Sequence, residues 1–310
     1  MRTIKLADGV AEAVVVPSLG AGLARYDFTM DQRRRPLFRP CRDLMRASPF
    51  DLASNLLVPW SNRISGGFHF GGKYYALEPN LDGEPLPIHG VGFSSPWEVV
   101  EAASSRASLV LQADGPGPYR FEAQVVYELM DGALTVNLQA TNHGPDPLPF
   151  GLGLHPWFPR TAAMTLLARA TFVTLENSQH LPEGRVPVPS RADWNFTAHR
   201  PLPAAWINND FSPWDGHAEI IWHDRGLRLA IETDGDPHLS TYILYSPGSG
   251  SEFFCFEPVT HRIDAHNRLG GPEANGLTIL DANASFSIRA RFVPTAFKQL
   301  TGSALPCKSV

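Results

Sequence analysis

Alternation of apolar and polar residues with a period of two dominates the chain wherever a pattern can be read. Phe121, Ala123, Val125, Tyr127 and Leu129 alternate with mostly polar neighbours. Asp131-Gly132 follows, and Leu134, Val136, Leu138 and Ala140 resume the alternation. Side chains two apart share one face of a strand, and Asp-Gly supplies the positive φ angles of a tight turn, so the segment predicts a β-hairpin. Ala218, Ile220 and Trp222, a turn at Asp224-Arg225-Gly226, and then Leu227, Leu229 and Ile231 predict a second. A late strand carries Phe286, Ile288, Ala290 and Phe292. Shorter strand-like runs lie at Ala13 to Val16, Leu109 to Gln112, Leu239 to Tyr245 and Glu252 to Phe256.

Helical signals are sparse. The best candidate, Cys41 to Asn55, is interrupted by Pro49 and predicts one or two short turns at most. The proline-rich stretch from Leu181 to Pro203 has strand patterns on both sides and Trp194, Phe196 and Trp206 within or beside it, which predicts a long ordered loop rather than a linker. No internal repeat of fixed period is present. These features predict an all-β fold, a large antiparallel β-sandwich formed by residues 1–310 as one domain.

Composition agrees with that picture. The 310 residues are 43% hydrophobic and 18% charged, enough apolar material for a large core, and 28 prolines and 26 glycines suit many turns. The net charge of −5 argues against nucleic acid and anionic membranes, both of which need a basic footprint. Arg33-Arg34-Arg35 is the one dense basic run and reads as a solvated loop. Cys41, Cys255 and Cys307 form no disulfide framework, and the start of the chain has no apolar leader. A cytoplasmic protein is expected.

Three segments concentrate polar groups in apolar, turn-rich surroundings. The first runs from Val58-Pro59-Trp60-Ser61-Asn62-Arg63 to Gly66-Gly67-Phe68, with His89-Gly90 beyond it. The second is Gly151-Leu152-Gly153-Leu154-His155-Pro156-Trp157-Phe158. In the third, Glu257 closes the apolar run Phe253 to Phe256 and leads through Pro258 to His261 and Asn267. Ionised groups are rarely buried unless paired or used, which makes Glu257 the oddest of these positions. Taken singly, each has a structural reading: a hydrogen-bonded turn histidine, an ion-pair partner, a core tryptophan.

In order and wording, these segments resemble the aldose 1-epimerase (galactose mutarotase) family over nearly the whole chain. The resemblance also takes in Trp97, Thr141-Asn142, Asn209-Asp210-Phe211 and Trp214-Asp215-Gly216. It implies a β-supersandwich with a sugar cleft on one face. By the same resemblance Glu257 is the catalytic base and His155 the acid that protonates the ring oxygen. His89, Arg63 and an aspartate at Asp210 hold the sugar, with Asp215 the other choice for that aspartate. Asn62 and Trp157 join the binding set, and Trp60, Trp97, Trp157 or Phe158 are candidates for an apolar wall. Around His155 this chain reads Gly-Leu-His-Pro-Trp-Phe, where familiar members read closer to Asn-His-x-Tyr-Phe; the departure bears on the sugar more than on the reaction.

The implied chemistry is self-consistent. Interconverting anomers needs one base at the C1 hydroxyl and one acid at the ring oxygen, and closure reverses both transfers. Neither a cofactor nor a metal is called for, and the expected partner is a free monosaccharide. With ordinary pKa values of about 4.3 and 6.5, Glu257 is expected to be ionised and His155 to sit near the working pH, its charged form favoured by the carboxylate. Two rivals remain: an epimerase of hexose phosphates, and a sugar-binding protein without turnover. His-Glu-x-x-His, Cys-x-x-Cys, Gly-x-Ser-x-Gly and phosphate-loop motifs are absent. His261 and His266, on either side of Asp264, are a weak metal candidate.

Overall fold

The computed structural model describes residues 1–236 and 239–298, and strands make up nearly all of their regular structure. Cys307 lies outside the described residues. Among those residues 17 strands join one sheet, with a further pair in each of two small sheets, and every pairing between strands is antiparallel. The fold is the expected large antiparallel β-sandwich. The first predicted hairpin pairs Arg120–Met130 with Ala133–Asn142, Met130 facing Ala133. Asp131 and Gly132 turn at φ values of 53° and 82°, the left-handed backbone that this dipeptide tolerates. The second pairs Ile207–Trp222 with Leu227–Asp236, and Gly226 takes the left-handed position between them.

The sheet folds over on itself and encloses the core. Tyr26 in the Gly22–Met30 strand donates its hydroxyl to the carbonyl of Gly132 across the sandwich (2.6 Å). Phe38 packs edge-on against Tyr26, Phe158 and Phe292 with ring centroids 5.0–5.2 Å apart. Each such buried ring stabilises the fold by about 1.5–3 kcal/mol before entropy is counted. No helix among the described residues is long and apolar enough to cross a membrane.

Some local expectations need correction. Cys41 to Asn55 holds one 3-10 turn, Pro49–Asp51, but its end belongs to the strand Ser54–Leu57, recruited by pairing with Gly153–Pro159. The stretch from Leu181 to Pro203 contains a strand, Pro182–Pro187, on the edge of Met164–Glu176, where missing proline N–H groups are tolerated. Arg33-Arg34-Arg35 lies in an edge strand, Arg33–Pro36, not a loop, and Arg34 pairs with Glu12 at 2.8 Å.

Five neighbouring strands position the candidate site: Ser54–Leu57, Gly153–Pro159, Phe253–Val259, Thr241–Ser246 and Ile207–Trp222. Leu154, Phe158, Phe254 and Phe256 point from this part of the sheet into the main core. Residues of the opposite parity therefore face the other way.

Candidate active site

The antiparallel register decides which side chains meet. Trp157 pairs with Cys255, Cys255 with Tyr245, and Tyr245 with Asn208. One step along, Glu257 pairs with Ile243, and Ile243 with Asp210. The pairs Gly153–Val259 and Trp157–Cys255 put His155 directly across from Glu257. The ladder is interrupted at that point, where Pro156 and Pro258 have no N–H to give. Directly opposed side chains lie about 4.5–5.5 Å apart at Cβ, close enough for functional groups to meet.

They do meet. His155 Nε2 lies 3.4 Å from Glu257 Oε1, with both side chains almost wholly buried. His155 Nδ1 and Glu257 Oε2 have no hydrogen-bond partner in the protein. Leaving a buried polar atom unpaired costs about 1–3 kcal/mol, so these two atoms are available to a ligand's hydroxyls.

The rest of the site comes from loops. After the Ser54–Leu57 strand the chain bends through Asn62, at φ 58°, to Arg63. His89, at φ 60°, exchanges hydrogen bonds with this bend: its backbone N–H donates to Asn62 O and its Nδ1 accepts from Asn62 N–H, both at 3.0 Å. The neutral ring then carries its proton on Nε2, a donor for a ligand oxygen. The Asn80 side chain clamps both flanks of His89 by bonding Ile88 and Gly90. Gly90 is required there, because a Cβ would lie 2.2 Å from Val58 O. Arg63 grips Glu84 with a two-pronged ion pair, Nε–Oε1 at 3.0 Å and Nη2–Oε2 at 2.6 Å.

Together His89, His155, Glu257, Asn62, Arg63 and Trp157 line one cleft of about 190 Å³. Typical ligand pockets hold about 300–1,000 Å³, so this one suits a single small ring. Trp157 stacks on His155 with centroids 5.0 Å apart and planes 15° apart, and the Arg39 guanidinium lies 4.0 Å from the Trp157 ring centre. Phe50 borders both histidines at about 6 Å. A larger groove of about 920 Å³, lined by Arg39, Arg42, Arg160 and Phe253, contains neither the buried pair nor His89.

Several lining residues escaped the sequence reading: Glu84, Trp206, Asn208 and Tyr245. Trp206 is half exposed at the cleft, its Nε1 bonded to Glu176 at 2.7 Å and its ring edge-on to Tyr245 at 5.1 Å. Asn208 and Tyr245 share the face of Glu257, a signal visible only once the register is known. Glu84 sits in a loop and has no periodic signal.

Other expected residues lie elsewhere. Asp210 is on the same sheet face as Glu257 but does not line the cleft: the segment after the Phe253–Val259 strand covers it. Its carboxylate accepts from Thr174 at 2.7 Å, the Ile263 N–H at 3.3 Å and Arg268 at 3.4 Å. Asp215 is exposed and faces Arg169 at 3.8 Å. Trp60, Trp97 and Phe158 are buried core residues, so of the four aromatic candidates Trp157 alone lines the cleft. His261 accepts from the Ser61 N–H at 2.9 Å and His266 meets the Tyr119 hydroxyl at 3.0 Å, which gives both histidines structural partners.

Burial, rather than charge pairing, governs the electrostatics. Desolvation pulls His155 down to about 3 and pushes Glu257 well above the usual carboxylate range, against the pull of Arg63. These directions run against the expectation of an ionised glutamate beside an imidazole near its ordinary pKa. Both shifts favour the neutral form of the pair, a carboxylic acid facing an uncharged imidazole with one proton between them. His89 is likewise pulled far down, first by burial and then by the neighbouring His155 and Arg63.

The family model for aldose 1-epimerases matches residues 2–291. The uncharacterized protein YphB of Escherichia coli is 34% identical over 253 residues, which span 79% of this chain and 84% of YphB. A crystal structure of a candidate aldose 1-epimerase from E. coli K12 superposes with a TM-score of 0.87 at 28% identity, covering 96% of this chain and 99% of its own. Galactose 1-epimerase from Lactobacillus acidophilus shares the fold alone, with a TM-score of 0.74 at 16% identity over 95% and 94% of the two chains.

Proposed function

The chain belongs to the aldose 1-epimerase family, and from that premise we propose that it is a mutarotase interconverting the α- and β-anomers of a free monosaccharide. The observation that carries this reading is the buried His155–Glu257 pair on the cleft floor, 3.4 Å apart with one orphaned polar atom on each partner. A site built only to bind hydroxyls has no need of two titratable groups so placed.

In the forward direction Glu257, as carboxylate, takes the proton of the C1 hydroxyl while the bond from C1 to the ring oxygen breaks. His155, as imidazolium, gives its proton to the departing ring oxygen, leaving an open-chain aldehyde. After rotation about C1–C2 the ring oxygen attacks the other face of the carbonyl, returning its proton to His155, and Glu257 returns its proton to O1. The charged form of the pair is a tautomer of the neutral one and contains the same single proton. Sugar hydroxyls at the orphaned atoms and the positive charge of Arg63 favour it when substrate is bound. Two positioned proton transfers supply about 10²–10⁴-fold each, sufficient for a reaction that already runs in water.

His89 Nε2–H, Asn62 and Arg63 bind the sugar oxygens, with Trp157 and Trp206 against its apolar face. Asp210 acts from behind, holding Arg268 and Ile263 in the segment that adjoins the cleft. A phosphorylated sugar is disfavoured, because Arg63 is the one permanent cation among the described lining residues and Glu84 already occupies it. The test is polarimetry on freshly dissolved α-D-galactose, α-D-glucose and L-arabinose. The reading requires faster mutarotation of at least one sugar with the wild type and its loss with His155→Ala; no acceleration of any of them, nor of other free aldoses, contradicts it.

A further inference from the structure

The acid–base pair has a neighbour that the reaction does not use. Cys255 stands two residues before Glu257 on the same strand face and pairs in register with Trp157. Its thiol is free and fully buried. One ligating atom each from His155, Cys255 and Glu257 lie within 4.8 Å of one another. His155 Nδ1 and Glu257 Oε2 remain without partners, so the cluster is not consumed by internal hydrogen bonds.

We propose that His155, Cys255 and Glu257 form a binding site for a thiophilic divalent cation of the zinc class, with the fourth ligand position open to the cleft. Bonds of about 2.0–2.3 Å in a tetrahedral shell place neighbouring N, O and S ligand atoms roughly 3.3–3.6 Å apart. The His155–Glu257 separation of 3.4 Å already meets that requirement. Closing the thiol from within 4.8 Å to that spacing takes about 1.3 Å of side-chain adjustment. Binding displaces the thiol proton and the proton of the pair to solvent. A carboxylate and a thiolate then balance the dication, so no net charge is buried. Nitrogen and sulfur donors select zinc-like ions over magnesium or calcium, which require oxygen shells. His155 and Glu257 line the cleft, from which a cation would enter, with Cys255 behind them.

The site itself does not depend on the catalytic reading. Its consequence does: a bound cation takes the lone pairs of both proton-transfer groups and stops mutarotation, which makes the cluster an inhibitory metal site.

The test uses the full chain carrying Cys41→Ser and Cys307→Ser, which leaves Cys255 as its one thiol, titrated with cobalt(II) and then with zinc. The expected result is one equivalent of cobalt bound with a near-ultraviolet thiolate-to-cobalt charge-transfer band, which zinc bleaches. Adding Cys255→Ser should abolish the band, and His155→Ala or Glu257→Gln should weaken binding by about tenfold or more. Absence of the band at millimolar cobalt overturns the proposal, and so does zinc affinity unchanged by Cys255→Ser. The band is read in the parent chain, so a misfolded variant does not obscure the result. A band in the loaded protein together with no mutarotation by the metal-free protein leaves the metal site standing and removes the functional reading. Mutarotation insensitive to zinc when the band shows the site filled removes the inhibitory role.

Discussion

His155 and Glu257 face each other across two antiparallel strands at the one point in their register where both following residues are prolines, and their side chains meet at 3.4 Å. In the proposed reaction the two groups work as a unit. Their deletions should not multiply. His155→Ala and Glu257→Gln are each expected to lower kcat by about 10²–10⁴. The double variant should lie within about tenfold of the slower single one. Polarimetric rates of the three variants check this, and a multiplicative loss would show two independent groups.

His261 gives the fold a pH dependence that can be isolated. Burial lowers its pKa from 6.5 to about 4, so the unfolded chain binds a proton there before the folded one does. Stability contributed by the neutral ring is complete above about pH 6.5 and is lost as the pH falls through that value toward 4, by about 3 kcal/mol in all. His261→Gln removes this titration. The stability difference between wild type and variant, from denaturant unfolding, should narrow by that order between pH 7 and pH 4; a constant difference would contradict the assignment.

Gly90 tests how firmly His89 is held. At φ 66° with Val58 O 2.2 Å from the position of a Cβ, alanine strains the turn and collides with backbone. Gly90→Ala should lower Tm by about 4 °C or more and weaken sugar binding together. Thermal unfolding and a sugar titration on the same sample decide it. Weakening of neither would mean that the turn can move without cost.

Much of this architecture is legible in local sequence, and the reasons are physical. The Asp131-Gly132 hairpin and the 218–231 hairpin announce themselves because alternation and turn chemistry act over a few residues. Pro182–Pro187 does not, since its pairing with Met164–Glu176 overrides a proline-rich composition. His155, Glu257, His89, Arg63, Asn62 and Trp157 do converge on one cleft. The row Trp157, Cys255, Tyr245, Asn208 spans four strands, and its register is set by contacts far apart in the chain. Asn208 and Tyr245 were therefore invisible. Asp210 faces the expected side of the sheet, yet what lies over it is decided by the 260–268 segment, which has no periodic pattern.

Trp206 is the lining residue that can be removed at least cost to the fold. It is 43% exposed, and its ring meets Tyr245 edge-on. An aromatic contact with the sugar is worth about 0.5–1.5 kcal/mol, so Trp206→Ala should raise KM by about three- to tenfold. Tm should hold to within the shift of an ordinary surface substitution. An unchanged KM would place the sugar away from this ring.

The proposed function requires Glu257 to transfer a proton and not merely to bind. The most direct measurement is two-dimensional NMR exchange between α- and β-anomers at equilibrium, on the sugar the wild type turns over fastest. Glu257→Gln keeps the size of the side chain and removes its acid–base function. This variant should still bind the sugar within about threefold, while enzyme-driven exchange falls by about 10² or more. Exchange at the wild-type rate with sugar bound would contradict it.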